Sequence, residues 1–192
     1  MAETPSTMLK LGTPAPDFSL ANVMEDKVFS LGNCKGSKAL LVMFICNHCP
    51  YVQHVKSEFR RLQDDYVPRG VRIVAINSND IGAYPQDGPT HMRELASKEG
   101  WTFPFLMDET QKVAKAYRAA CTPDFFLFDA GMKLVYRGQL DDARPGNSKP
   151  VNGKDLRAGL DAVLSAKSVS PNQKPSIGCN IKWKPGIEPD YF

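Results

Sequence analysis

The stretch Phe44-Ile45-Cys46-Asn47-His48-Cys49-Pro50 joins a seven-residue apolar run, residues 39–45, to residues with helical spacing. A short apolar run of this kind reads as a strand buried on both faces. After Pro50, apolar residues fall at Val52, Val55, Phe59, Leu62 and Tyr66, the three-and-four spacing of an amphipathic helix. Two cysteines separated by two residues therefore sit where a strand turns into a helix. A helix start leaves N–H groups unpaired and carries partial positive charge. That favours the thiolate, which is the nucleophilic form of cysteine. The spacing places Cys46 near the N-cap and Cys49 in the first turn, close enough for a disulfide to close. Pro50 suits a first turn. His48, when protonated, lowers the neighbouring thiol pKa and makes the disulfide a stronger oxidant.

Outward from this stretch, strand and helix patterns alternate. Residues 18–20 and 28–31 are short strand candidates after a turn-rich opening, and Pro14 and Pro16 argue against a central strand before Asp17. Pro68 and Gly70 stop the helix. Residues 71–76 form a second buried strand, and residues 77–89 a breaker-rich loop whose length marks it as functional or mobile. Thr90 caps a helix to Gly100, followed by a strand at 103–107. Asp108 and Gln111 resemble a capping box opening a helix to about Ala119. Strands at 125–128 and 134–138 follow, then a helix over about 153–166 and a proline-rich tail, 168–192. Strands alternating with helices imply an α/β fold, a sheet containing parallel strands with helices on both faces. The cysteine pair lies at the C-terminal end of a central strand, where open α/β sheets place their sites.

A chain of 192 residues is long enough for one sizeable core. Its 42% apolar and 23% charged content is ordinary for a globular protein. A net charge of +3 without an arginine-rich run gives no reason to expect nucleic acid. Residues 1–10 lack an apolar core of signal-peptide length, and no run approaches membrane-spanning length. The expectation is a soluble, cytoplasmic protein with no membrane partner. Five cysteines, an odd number, do not look like a structural disulfide scaffold. In a reducing compartment such cysteines are mostly reduced, catalytic or metal-binding.

These residues carry a resemblance. Gly12-x-x-Ala15-Pro16-Asp17-Phe18-x-Leu20, Cys46-Asn-His-Cys-Pro50, Cys121-Thr-Pro-Asp-Phe-Phe126, Tyr136-Arg-Gly-Gln-Leu-Asp-Asp142 and Pro175-Ser-Ile-Gly-Cys-Asn-Ile-Lys-Trp183 resemble the redoxin branch of the thioredoxin fold. That branch includes the AhpC/TSA-like peroxiredoxins and the TlpA/ResA-like thiol-disulfide oxidoreductases. The resemblance implies a thioredoxin-like domain over residues 1–167, with an N-terminal β-hairpin and a C-terminal tail, 168–192, docked on it. It implies Cys46 as the exposed nucleophile, Cys49 as the resolving thiol, and Pro123 as a cis-proline facing them. The Thr122 backbone would then be offered to substrate. Thioredoxin has a tryptophan before the first cysteine and a buried aspartate in the preceding strand. Here Ile45 and Leu40 stand there, so that proton acceptor is missing. A peroxiredoxin needs a Pro-x-x-x-Thr-x-x-Cys context, and residues 42–49 supply neither the threonine nor the first proline.

The leading reading is a thiol-disulfide oxidoreductase. Its partners would be a disulfide-containing protein or small thiol and a thioredoxin-like or glutathione-type reductant, acting on a monomer or homodimer. The dithiol carries the chemistry, so neither an organic cofactor nor a metal is expected. The alternatives are a peroxiredoxin-like thiol peroxidase and a metal-binding or redox-sensing module built on the same cysteines. A zinc site needs four ligands, usually in paired clusters, and no second Cys-x-x-Cys is present. Cys121 reads as a packed small residue or as a third thiol within reach of Cys46. Cys179 sits in a tail that also holds Ile177, Ile181 and Trp183. Such apolar content in a proline-rich segment points to docking over the sheet, with thiol exchange as the sharper alternative.

Overall fold

The computed structural model describes residues 3–191. A short strand β1 (Glu3–Pro5) precedes the hairpin β2 (Ser19–Asn22) and β3 (Lys27–Ser30), and β4 (Ala39–Phe44) leads into helix α1 (Pro50–Tyr66). The chain continues through β5 (Val71–Asn77), α2 (Pro89–Glu99), β6 (Phe105–Met107) and α3 (Lys112–Tyr117). It closes with β7 (Cys121–Thr122), β8 (Asp124–Asp129), β9 (Leu134–Gly138), α4 (Lys154–Leu164) and β10 (Ile177–Asn180). Seven strands form one mixed sheet in the order β3-β2-β6-β5-β4-β8-β9. β4 pairs parallel with β5 and antiparallel with β8, so the strand that delivers the cysteines is central.

All six residues of β4 are buried. Side chains alternate across a strand, and the two sets enter different cores. Leu41 and Met43 pack with Val52, Phe59 and Leu62 of α1, Met92 of α2 and Leu160 of α4. Leu40, Val42 and Phe44 pack with Val113 and Tyr117 of α3 and with Ile181 and Trp183 of the tail. Both faces are therefore covered; among the described residues α3 is the one α-helix over the second face, and the tail completes its cover. Burying each of these large side chains contributes roughly 1.5–3 kcal/mol, which fixes the position of β4 between the two cores.

Some elements differ from the sequence expectation. The strand at 103–107 shortens to Phe105–Met107. The helix expected from Asp108 begins at Lys112, because Asp108 Oδ2 instead accepts from Ser78 Oγ at 2.9 Å and Ala114 N at 2.9 Å. Gln111 takes a left-handed backbone with φ of 60°, and its amide donates to the carbonyls of Ser78 and Lys182. Gln111 thus ties the loop after β5 to the tail. Proline at the first helical position sets the start of α2 at Pro89, so Gly88 stands at the N-cap in place of Thr90. A second, three-stranded sheet in the order β1-β10-β7 has no counterpart in the sequence pattern. Its strands have three, four and two residues, too few to show a period.

Candidate active site

Helix α1 begins at Pro50, with Cys49 itself at the N-cap. Cys46 therefore lies in the loop before the helix, and Cys49 stands at its mouth. Both expected positions shift back because proline at the first helical position fixes the start. Cys46 and Cys49 are packed in one buried cluster. Facing them is the Thr122–Pro123 peptide, which is cis. Thr122 Oγ1 is 3.5 Å from Cys46 Sγ, and the Cys49 thiol donates to the Thr122 carbonyl at 3.1 Å.

The loop between the cysteines is held by Asp87, which is fully buried. Its Oδ1 accepts the backbone N–H groups of Asn47 at 2.9 Å and His48 at 3.0 Å. Its Oδ2 accepts from His48 Nδ1 at 2.5 Å and from Asn79 Nδ2 at 2.8 Å. The His48 ring is also stacked on Tyr84, with centroids 5.3 Å apart and planes 8° apart. Ligand-type atoms of Cys46, His48 and Asp87 all lie within 4.8 Å of one another. This is the three-residue group a metal reading would use. Asp87 already accepts from four donors, and a cation there would displace at least one of them.

The tail closes the remaining side. Cys179 pairs in antiparallel register with Thr122, and it is buried in the same cluster as Cys46 and Cys49. Cys121, next along β7, is buried and donates to the Pro123 carbonyl at 3.6 Å. It is a packed thiol on that contact, while Cys179 is the auxiliary thiol the fold brings to the pair. The site thus assembles a strand end, a helix start, a proline loop and a tail strand.

The Redoxin family model matches residues 10–154, about three-quarters of the chain. The chain belongs to the redoxin family. A crystal structure of an uncharacterized conserved protein from Geobacillus kaustophilus is 55% identical, with a TM-score of 0.95 over 97% of this chain and 98% of that one. A hypothetical protein from Sinorhizobium meliloti 1021 is 50% identical, with a TM-score of 0.93 over 95% of this chain and 100% of that one. The thiol-disulfide oxidoreductase ResA of Geobacillus thermodenitrificans is 28% identical over 68% of this chain and 70% of its own. A putative thiol:disulfide interchange protein DsbE from Chlorobium tepidum, 20% identical, shares the fold with a TM-score of 0.62 over 81% of this chain and 99% of its own.

Three features of this redoxin depart from the sequence expectation. Cys46 is not exposed: 1% of its surface reaches solvent, against 0% for Cys49. The Asp87 carboxylate holds the backbone of residues 47–48, and the Thr122 hydroxyl stands 3.5 Å from the Cys46 sulfur. The Thr122 backbone is not free for substrate either, since β10 occupies that edge. Finally, a buried carboxylate does stand by the pair. It comes from Asp87 in the breaker-rich loop after β5 and not from the preceding strand. A lone aspartate in that loop, before Gly88-Pro89, carried no pattern that would have singled it out.

The charge on this redoxin's thiols is shared unevenly. Cys46 is pushed well up by donating to Cys49, by burial and by the Asp87 charge, with Thr122 pulling the other way. Once Cys49 loses its proton, the Cys179 and Cys46 thiols donate to it and hold its pKa well down against the cost of burial. Cys179 is correspondingly pushed up. The direction is therefore down at Cys49 and up at Cys46, whereas the helix-start argument favoured a thiolate without accounting for either neighbour. The cause is that Cys49 stands between two thiol donors and caps the helix, while Cys46 faces a carboxylate.

Proposed function

We propose that this redoxin is a thiol-disulfide oxidoreductase working through the Cys46/Cys49 pair. The observation that carries the reading is the packing of both cysteines at the mouth of α1 against the cis Thr122–Pro123 segment, which each sulfur touches. The relationship to ResA supports the same chemistry. Cys46 lies outside the helix and attacks the substrate disulfide, and the proton it loses ends on the departing substrate thiolate. The mixed disulfide on Cys46 is then attacked by Cys49. That step forms the Cys46–Cys49 disulfide and releases the substrate thiol. A thioredoxin-like dithiol, or two glutathione-type thiols in succession, reduces the pair again and leaves as a disulfide. The substrates in this reading are disulfide-containing proteins or small disulfides.

The cytoplasmic setting is part of the proposal and rests on the odd cysteine number, which does not suit a disulfide scaffold. Cell fractionation tests it. The activity is tested with hydroxyethyl disulfide as substrate and dithiothreitol as donor. Wild type is expected to turn over, Cys46→Ser to lose activity, and Cys49→Ser to accumulate a mixed disulfide at Cys46. Equal turnover by wild type and Cys46→Ser rejects the assignment.

A further inference from the structure

The pair accounts for two of the five cysteines, yet a third thiol is built into the same site. Strand β10 is held along its length by contacts that leave it little freedom. Ser176 Oγ donates to the Pro123 carbonyl at 2.6 Å, and the Ser176 carbonyl accepts from Ser6 N at 2.8 Å. Ile181 N donates to the Ala120 carbonyl at 3.0 Å, and Lys182 N to Asn79 Oδ1 at 2.9 Å. At Gly178 the backbones approach so closely that an added Cβ would stand 2.0 Å from the Thr122 carbonyl oxygen. Between these anchors sits Cys179, 2% exposed and in one buried cluster with Cys46 and Cys49. Its register partner is Thr122, whose carbonyl accepts from the Cys49 thiol at 3.1 Å and whose hydroxyl is 3.5 Å from Cys46 Sγ, so the three thiols gather at one residue. A thiolate exchanges with the disulfide sulfur it can reach, and Cys179 lies beside the resolving cysteine of the pair.

We propose that Cys179 is a third exchange thiol, and that the oxidised pair rearranges to a Cys49–Cys179 disulfide that fastens the tail strand across the site. The proposal rests on the oxidoreductase reading above for its source of oxidised pair. In the step, the Cys179 thiolate attacks Cys49 Sγ. The Cys49–Cys179 bond forms, the Cys46–Cys49 bond breaks, and the electron pair leaves on Cys46. The proton lost by Cys179 ends on Cys46. One disulfide is exchanged for another, so no further oxidant or reductant is consumed. The product leaves Cys46 as a thiol while β10 is covalently joined to the start of α1. In that state the tail strand cannot leave the edge of Thr122, where it already lies in register. The rearrangement stores the oxidising equivalent in a form closed to a partner pairing along that edge.

The test uses the full chain, equilibrated in glutathione redox buffers, quenched in acid and digested at low pH to prevent reshuffling. Non-reducing peptide mass mapping then identifies each disulfide. Wild type is expected to yield both Cys46–Cys49 and Cys49–Cys179, with populations within about tenfold of each other, that is within about 30 mV. Cys179→Ser should yield only Cys46–Cys49. Cys46→Ser should still close Cys49–Cys179 at equilibrium, with its fold checked by circular dichroism. If Cys46→Ser does not fold, the wild-type map decides alone. A wild-type map with Cys46–Cys49 alone, and Cys179 alkylated as fully as in reduced protein, overturns the exchange while leaving the oxidoreductase reading intact. A wild type that forms no Cys46–Cys49 disulfide in oxidising buffer overturns both.

Discussion

Asp87 Oδ2 meets His48 Nδ1 at 2.5 Å, joining the loop after β5 to the two residues between the cysteines. The contact fixes the ring and also sets a negative charge beside Cys46. That charge opposes ionisation of the thiol. An arrangement read from sequence as one cation beside a cysteine is therefore a histidine–carboxylate pair beside it.

Replacing Asp87 by asparagine keeps an oxygen for the Asn47 and His48 amides but removes the charge. The Cys46 pKa should fall, because a like charge beside a thiol opposes its ionisation. Labelling of Cys46 by iodoacetamide against pH, resolved by peptide mass, measures it. Because a thiolate favoured in the reduced form makes the disulfide more oxidising, the potential should move in the oxidising direction by about 30 mV per tenfold change. An unmoved labelling midpoint would mean that Cys46 does not feel the carboxylate.

Thr122→Val removes the hydroxyl 3.5 Å from Cys46 Sγ. That hydroxyl lowers the Cys46 pKa, so the variant should raise it and slow attack by Cys46 about two- to tenfold, the worth of one modest hydrogen bond. Thr122→Ser should restore the rate. Stopped-flow reduction of a model disulfide gives the comparison, and a valine variant as fast as wild type contradicts the contact.

Asp124, the residue after Pro123, is fully buried and its carboxyl is pushed up to about 7 by burial, against the pull of the Ala120 N–H. An unfolded aspartate titrates near 4. Between these values the folded chain holds the proton and the unfolded chain does not. Stability should therefore fall as pH rises from about 4 to about 7 and change little above that from this group. Asp124→Asn should flatten that slope. Urea unfolding at pH 4.5 and 7.5 measures both, and equal slopes in the two proteins would count against a raised pKa.

Gly178→Ala places a Cβ 2.0 Å from the Thr122 carbonyl oxygen and 2.6 Å from its carbon. These are backbone atoms, so one strand must shift. The expected cost is about 3 kcal/mol, as for overpacking at a tight site. Undocking of β10 should also raise the alkylation rate of Cys179. A variant with wild-type midpoint and protection would show that the strands separate at no cost.

Much of this protein is written locally. The apolar run before Cys46, the helical spacing after Pro50 and the prolines and glycines between elements act over a few residues. They suffice to place the cysteine pair at a strand-to-helix junction and to imply the mixed sheet. Some local rules were overridden by partners distant in sequence. Asp108 accepts from the first-turn amide of Ala114 and from Ser78 across the fold while Gln111 takes the N-cap position, and Glu58, on the polar side of α1 by its spacing, is buried against Arg157 of α4 at 2.6 Å.

The amino-acid sequence alone determined the fold class and the two sulfurs of the pair, because strand, helix and turn preferences are short-range and survive without context. Only the folded chain decided which carboxylate stands beside the pair and which third thiol is buried with it. Those properties depend on Asp87 and Cys179 reaching the cysteines from distant loops. Burial and charge act through space, and no spacing along the chain encodes a distance across it.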